Sequence, residues 1–218
     1  MVIACWSVKG GSGTTVVAAS LALLLARSSS NGAVLADLAG DLPAVLGMTE
    51  PQGPGLAEWL ASEASAGALE RLEAPVADGL RLLPRGSSSV VAPAPVARLA
   101  ELGVALAEYD RPVVIDAGVV GDGSSALDLV AGAAVSLLVL RPCYLALRRA
   151  VRAPLRPSGV VLVQEAGRAI GKRDVEEVLG VPVRAVVDLD PAVARAVDAG
   201  LLACRLPRGL ERSLRRAA

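Results

Sequence analysis

Gly10, Gly11 and Gly13 stand in the run Lys9-Gly-Gly-Ser-Gly-Thr-Thr15, between a short apolar stretch and a long one. A glycine-rich turn that leaves a buried strand and enters a helix gathers backbone N–H groups and the positive end of the helix dipole at one point. That arrangement holds phosphate oxygens. The glycines allow the tight turn and the close approach of a ligand. A phosphate-binding loop of the form G-x-x-x-x-G-K-[ST] carries Lys and then Ser or Thr after its last glycine. Here Thr14 and Thr15 follow Gly13, and the lysine stands five residues before Thr14, at Lys9. The candidate nucleotide-binding residues are therefore Lys9, Gly10, Gly11, Ser12, Gly13, Thr14 and Thr15.

Thr15 falls where a hydroxyl would reach Mg²⁺. Asp116, ending the apolar run Val113-Val-Ile, is placed to meet that ion directly or through a bound water. Asp37 ends the run Ala33-Val-Leu-Ala and is directed to the same sheet edge, where open α/β sheets bind ligands. Each feature also has a plain reading: a tight turn with no ligand, and aspartates that cap the turns after their strands. Lys9 is one of only two lysines against 20 arginines. It is either a compact ammonium chosen to meet phosphate or one more solvated charge.

Positioning these residues requires strands alternating with helices. Short aliphatic runs at residues 2–8, 33–37, 80–84, 112–116, 135–140, 159–163 and 183–187 predict strands. Between them, helical patterns cover residues 14–27, 55–61, 66–72, 96–108, 124–131, 144–151, 172–179, 191–199 and 209–217. Asp190 before Pro191 is a helix-start signal. Ser, Gly and Pro clusters at residues 28–32, 50–55 and 86–95 read as loops. The alternation predicts an α/β fold: a three-layer, mostly parallel sheet flanked by helices, like the P-loop NTPases, with residues 1–218 as one nucleotide-binding-type domain.

Composition narrows the function. Lys plus Arg number 22 and Asp plus Glu 22, so no global field draws the chain to nucleic acid; only residues 205–216 are locally basic. The apolar fraction of 53% contains no Phe, so the core is built from Ala, Val and Leu. No apolar run reaches the roughly 20 residues of a membrane span, and no secretory leader is legible, so the expected location is cytoplasmic. With no His, His-based triads and His metal sites are excluded. Cys5, Cys143 and Cys204 have no paired spacing and read as buried free thiols.

The loop resembles that of the deviant Walker-A ATPases of the MinD/ParA type, which reads K-G-G-x-G-K-[ST]. Three further segments are similar in order: AVLADLAGDLPAVLGM to the family's Asp-bearing switch strand, YDRPVVIDAG to its Walker-B strand, and DLDPAVARAVDAG to the segment on its adenine side. The resemblance implies ATP and Mg²⁺ as ligands. It also implies ATP-dependent homodimers in which the signature lysine, Lys9 here, reaches the partner's nucleotide, and catalytic roles for Lys9 and Asp37. Such dimers place cellular machinery through a protein, membrane or DNA partner. The wording DLAGDLPAVLGM looks nearest to the CpaE or TadZ subgroup, which positions pilus and secretion assemblies.

Three positions depart from the family. Thr14 replaces the lysine that neutralises the β and γ phosphates, so ATP affinity is expected to fall roughly ten- to a hundredfold. Ala39 stands where a second switch carboxylate would fall, with Asp41 the nearest substitute. Val163 stands where an adenine-side Asn is common, with Gln164 the nearby amide. Weak nucleotide binding with slow or absent hydrolysis follows. The alternatives are a nucleotide-free pseudo-ATPase module for pilus or secretion machinery and an active DNA-partitioning ATPase. The tail at residues 209–218 has only Leu210 and Leu214 as anchors, which predicts weak membrane binding or none, peripheral at most. Arg141, Arg148, Arg149, Arg152 and Arg156 read as a solvated basic face without stacking aromatics, so nucleic acid is a poor fit. Tyr144, Trp6 and Trp59 are assigned to packing, and Leu56 and Leu60 to a small interaction ridge.

Overall fold

Aliphatic side chains that alternate between two buried faces build the central layer. The computed structural model describes residues 1–87, 94–215 and 217. Among the described residues eight strands form one sheet: β1 (Val2–Ser7), β2 (Ala33–Asp37), β3 (Ala74–Ala77), β4 (Leu80–Leu83), β5 (Val113–Val119), β6 (Val135–Leu140), β7 (Gly159–Gln164) and β8 (Val183–Asp188). Their order is β3-β4-β2-β5-β1-β6-β7-β8, and every pairing is parallel except β3 with β4.

Helices cover both faces. Against Ile3, Cys5, Leu35 and Val114 lie α1 (Thr14–Ser28), α2 (Leu42–Leu46), α9 (Pro191–Asp198) and α10 (Arg208–Leu214). Against Ala4, Trp6, Ala36 and Ile115 lie α3 (Leu56–Leu60), α4 (Leu69–Leu72), α5 (Val96–Ala107), α6 (Leu127–Gly132), α7 (Tyr144–Val151) and α8 (Lys172–Leu179). The apolar run that opens α1 is buried on all sides from Val17 to Ala26, as expected of a helix held between sheet and neighbouring helices rather than one lying on a surface.

The expected strands and helices are all present within a few residues. Two elements add to them. The four-residue β3 carries a proline and is too short for periodicity to reveal. The five-residue α2 begins at Leu42-Pro43 inside what reads as a loop. Residues 66–72 open as a 3-10 turn, Ala66–Ala68, before α4. The middle of the expected 86–95 loop, residues 88–93, lies outside the described residues, as do Arg216 and Ala218 of the tail.

Several packing assignments need correction. Tyr144 is 76% exposed, whereas Leu56 and Leu60 are buried in the core with Trp59. The guanidinium of Arg98 lies 3.8 Å from the Trp59 ring centre. Cys5 is buried, but Cys143 is only partly so and Cys204 is exposed. Cys143 Sγ accepts from the Ala146 N–H at the start of α7.

Trp6, fully buried one residue before β1 ends, donates its indole N–H to Ser136 Oγ at 3.0 Å, tying β1 to β6 at the root of the glycine loop. Ser136→Ala strands that donor in the core and is expected to lower the unfolding free energy by about 1–3 kcal/mol. Urea unfolding followed by tryptophan fluorescence would show a lower midpoint at unchanged slope.

Candidate functional site

Strand β1 ends at the centre of the sheet, flanked by β5 and β6, and its chain turns through residues 8–13 into α1. The turn needs its glycines: Gly11 and Gly13 have φ of 72° and 87°, the left-handed region. Gly13 caps α1 in that conformation, and Val17 N–H returns to its carbonyl at 3.0 Å. The N–H groups of Thr14, Thr15 and Val16 therefore have no partner within the helix. No acidic side chain sits in the first turn to compete for them. Two hydroxyls hold the loop open, Ser7 Oγ and Ser12 Oγ each donating to the Lys9 carbonyl at 3.0 Å. Ser7 is a site residue that sequence reasoning missed; a lone serine ending an aliphatic strand was the only signal.

The loop's cation lies at its rim. Lys9 is half-buried and its ammonium donates to the Gly10 carbonyl at 3.2 Å. Thr14, where a P-loop lysine would stand, is buried.

Asp37 and Asp116 pair across β2 and β5, and Asp116 pairs with Cys5 of β1. Strand alternation sends all three side chains to the α1 face, alongside Leu35 and Val114. Both carboxylates are fully buried. Asp37 Oδ1 accepts from Gly40 N–H at 2.6 Å and Oδ2 from Leu42 N–H at 3.2 Å, so this carboxylate shapes the chain entering α2. Asp116 Oδ1 accepts from Gly118 N–H at 3.1 Å, while its Oδ2 has no hydrogen-bond partner among the described residues. Thr15 faces Asp116 without completing a hydrogen bond to Oδ2. Ala39 packs over Gly118, and Asp41 is exposed but close enough to Asp116 to act on its charge.

Burial dominates the electrostatics. It pushes Asp37 up to about 6 against the pull of the Gly40 and Leu42 N–H groups, and the charge of Asp116 adds to the rise. Burial also raises Asp116, with Thr15 and the Gly118 N–H opposing. Cys5 is raised by burial and then by Asp116, so its thiol stays protonated. Among the described residues no cluster of three or more Cys, Asp or Glu could hold a metal unaided. The hydroxyl of Thr15 and the unpartnered, buried oxygen of Asp116 are hard oxygen donors of the kind Mg²⁺ takes when phosphates complete its shell. The residues present fit that ion.

Beside the loop a cavity of about 500 Å³ opens between Gly13, Val16, Val163, Val187, Val193 and Val197. A side chain added at Gly13 would lie 3.8 Å from Val163 Cγ2, so the loop abuts the end of β7. This apolar slot suits a flat aromatic ring next to the phosphate turn. Val163, expected as a lost amide, is one of its walls. Glu165, just beyond β7, is held by Arg141 at 3.0 Å and Arg168 at 2.7 Å. The other expected arginines divide: Arg156 donates to the Gly180 carbonyl, while Arg148, Arg149 and Arg152 are exposed.

Comparison with known proteins agrees with this geometry. The cell-division ATPase MinD of Pyrococcus furiosus superposes over 100% of this chain and 99% of its own, with 27% identity and a TM-score of 0.78. The septum site-determining protein MinD of Pyrococcus horikoshii, solved with Mg-ADP, covers 99% and 93% at 23% identity and a TM-score of 0.79. A ParA family ATPase of Chlorobium tepidum covers 98% and 95% at 20% identity and 0.79. No family model and no curated protein matches the sequence. The chain has the MinD/ParA P-loop NTPase fold, and its structural neighbours along its whole length are ATPases of that family. Among the described residues no helix is long and apolar enough to cross a membrane.

Asp37 binds its proton more tightly folded, near 6, than unfolded, near 3.8. The stability it lends is therefore full below about pH 4 and is lost as pH rises through 6, by up to about 3 kcal/mol. Denaturant unfolding of the ligand-free protein between pH 4.5 and 7.5 should show that decline. Asp37→Asn should show a lower but flatter profile over the same range.

Proposed function

We propose that the chain, acting over residues 1–218 as one nucleotide-binding unit, is a cytoplasmic positioning protein of the MinD/ParA type. It binds ATP or ADP with Mg²⁺ weakly, hydrolyses ATP slowly or not at all, and works as a homodimer that recruits a protein partner. The observation that carries this reading is the convergence of free helix N–H groups, Thr15 and the unpartnered Asp116 oxygen at one glycine turn. The nucleotide and ion seen in the Pyrococcus horikoshii neighbour support it.

In this reading the N–H groups from Gly10 to Thr15 take the phosphate oxygens, and Ser12 keeps the turn in shape. Thr15 and Asp116 hold Mg²⁺, which neutralises phosphate charge when bound. Lys9, at the rim, supplies the remaining cation to its own nucleotide or to that of a second subunit. Asp37 is the carboxylate left to orient a water, because residue 39 is Ala; its oxygens keep lone pairs after accepting from Gly40 and Leu42. With no cation at Thr14 and no carboxylate at Ala39, stabilisation of a transferring phosphoryl group is weak, which accounts for slow turnover. The buried Thr14, which puts no cation at the loop, favours a second reading, a nucleotide-free module that keeps the loop as architecture.

Calorimetric titration of Mg·ATP separates the two. Under the first reading wild type binds saturably, Lys9→Ala weakens binding by about tenfold, and Thr14→Lys tightens it by roughly ten- to a hundredfold, the worth of a charge-assisted contact. No heat from a folded wild-type protein, with Thr14→Lys equally silent, leaves the nucleotide-free module.

A further inference from the structure

A cavity of about 960 Å³ opens away from the glycine loop, between the end of α1, the first turns of α9, the chain joining α9 to α10, and the start of α10. Four guanidinium groups line it: Arg27, Arg195, Arg205 and Arg208. All four are exposed, and none forms a hydrogen bond or a close ion pair among the described residues. Arg27 and Arg195 lie in the last turns of α1 and α9, where a cation complements the helix dipole. Arg205 and Arg208 have no such role.

The two acids on the same wall are already engaged. Asp190 Oδ1 accepts from Ala192 N–H at 2.7 Å as the cap of α9, and Glu211 Oε1 accepts from Arg215 at 2.6 Å. The charges of Arg27 and Arg208 also act on Glu211, and four guanidinium groups against these two carboxylates leave the wall with a positive excess in a chain of zero formal charge. Such repulsion destabilises the compact state and is relieved by a bound polyanion.

We propose that this cavity is a second ligand site, for a small free polyphosphorylated anion. Guanidinium forks match phosphate oxygens in pairs. The volume is within the range of small-molecule pockets, about 300–1,000 Å³. Among the described residues no aromatic side chain lines it, which disfavours the base stacking that would mark a nucleic-acid groove. Asp190 lines both this cavity and the apolar slot beside the glycine loop, so the start of α9 is a shared wall through which an occupant bears on the nucleotide side.

Inorganic tripolyphosphate is the probe, titrated calorimetrically without Mg²⁺ into wild type, the loop variant Lys9→Ala, and the exposed double variant Arg205→Gln/Arg208→Gln. The site predicts saturable binding that survives Lys9→Ala and falls by at least about tenfold in the double variant, the worth of one charge-assisted contact. Absence of saturable binding to wild type overturns the proposal, and so does affinity unchanged in the double variant. A third contrary result is that the two arginines govern sedimentation with anionic phospholipid vesicles or binding to duplex DNA, while tripolyphosphate fails to compete.

Discussion

Two carboxylates buried side by side set the terms for this molecule. Asp37 and Asp116 occupy matched positions on adjacent parallel strands, on the face covered by α1, and among the described residues no basic side chain is hydrogen-bonded to either. Like charges in a low-dielectric interior repel, and burial already penalises each. The fold accommodates the pair with backbone N–H groups from Gly40, Leu42 and Gly118 and with the positive end of α1 just above. One oxygen of Asp116 remains without a donor. A divalent cation bound between phosphates and Thr15 is the species that would relieve the whole arrangement.

The surrounding structure is organised to keep that point rigid. Helix α1 is enclosed from Val17 to Ala26, so its first turn cannot tilt without disturbing the core on one whole face of the sheet. Trp6 fastens the strand that feeds the loop, and the Ser7 and Ser12 hydroxyls fix the Lys9 carbonyl. The chemistry is less complete than the scaffold. A buried Thr14 puts no charge at the glycine turn, and the ammonium that remains is bonded to a backbone carbonyl at the rim. On the function proposed above, rigid geometry with displaced charge suits a switch read by occupancy more than an enzyme read by turnover.

Much of this was legible in the residues. Gly-Gly-Ser-Gly between two aliphatic runs announced the turn, because positive φ at Gly11 and Gly13 has few other uses before a helix. Strand-end aspartates after Val-Val-Ile and Val-Leu-Ala announced the carboxylates, since a charge ending a buried run needs a reason to be there. The short elements escaped: β3 has four residues, one of them Pro75, and α2 is five residues set by the Asp37 carboxylate and Pro43, too few for a period to declare itself. The apolar slot escaped as well, because valines from four separate elements read singly as core and become a wall only when the sheet brings β7 and β8 beside the loop. Tyr144, an isolated aromatic that reads as packing, instead opens α7 on its exposed side: Tyr144 and Leu145 face solvent, and Ala146 and Leu147 turn to the core.

The central claim is that Thr15 and Asp116 form the protein half of a nucleotide-dependent cation site. Electron paramagnetic resonance of Mn²⁺, which takes the same oxygen donors as Mg²⁺, tests it most directly when ADP is titrated into protein and metal. The account predicts that protein-bound Mn²⁺ grows with ADP in the wild type, and that Thr15→Ala and Asp116→Asn each abolish most of that growth while the protein stays folded. Mn²⁺ bound equally well by both variants, or bound by the wild type without regard to ADP, would contradict it.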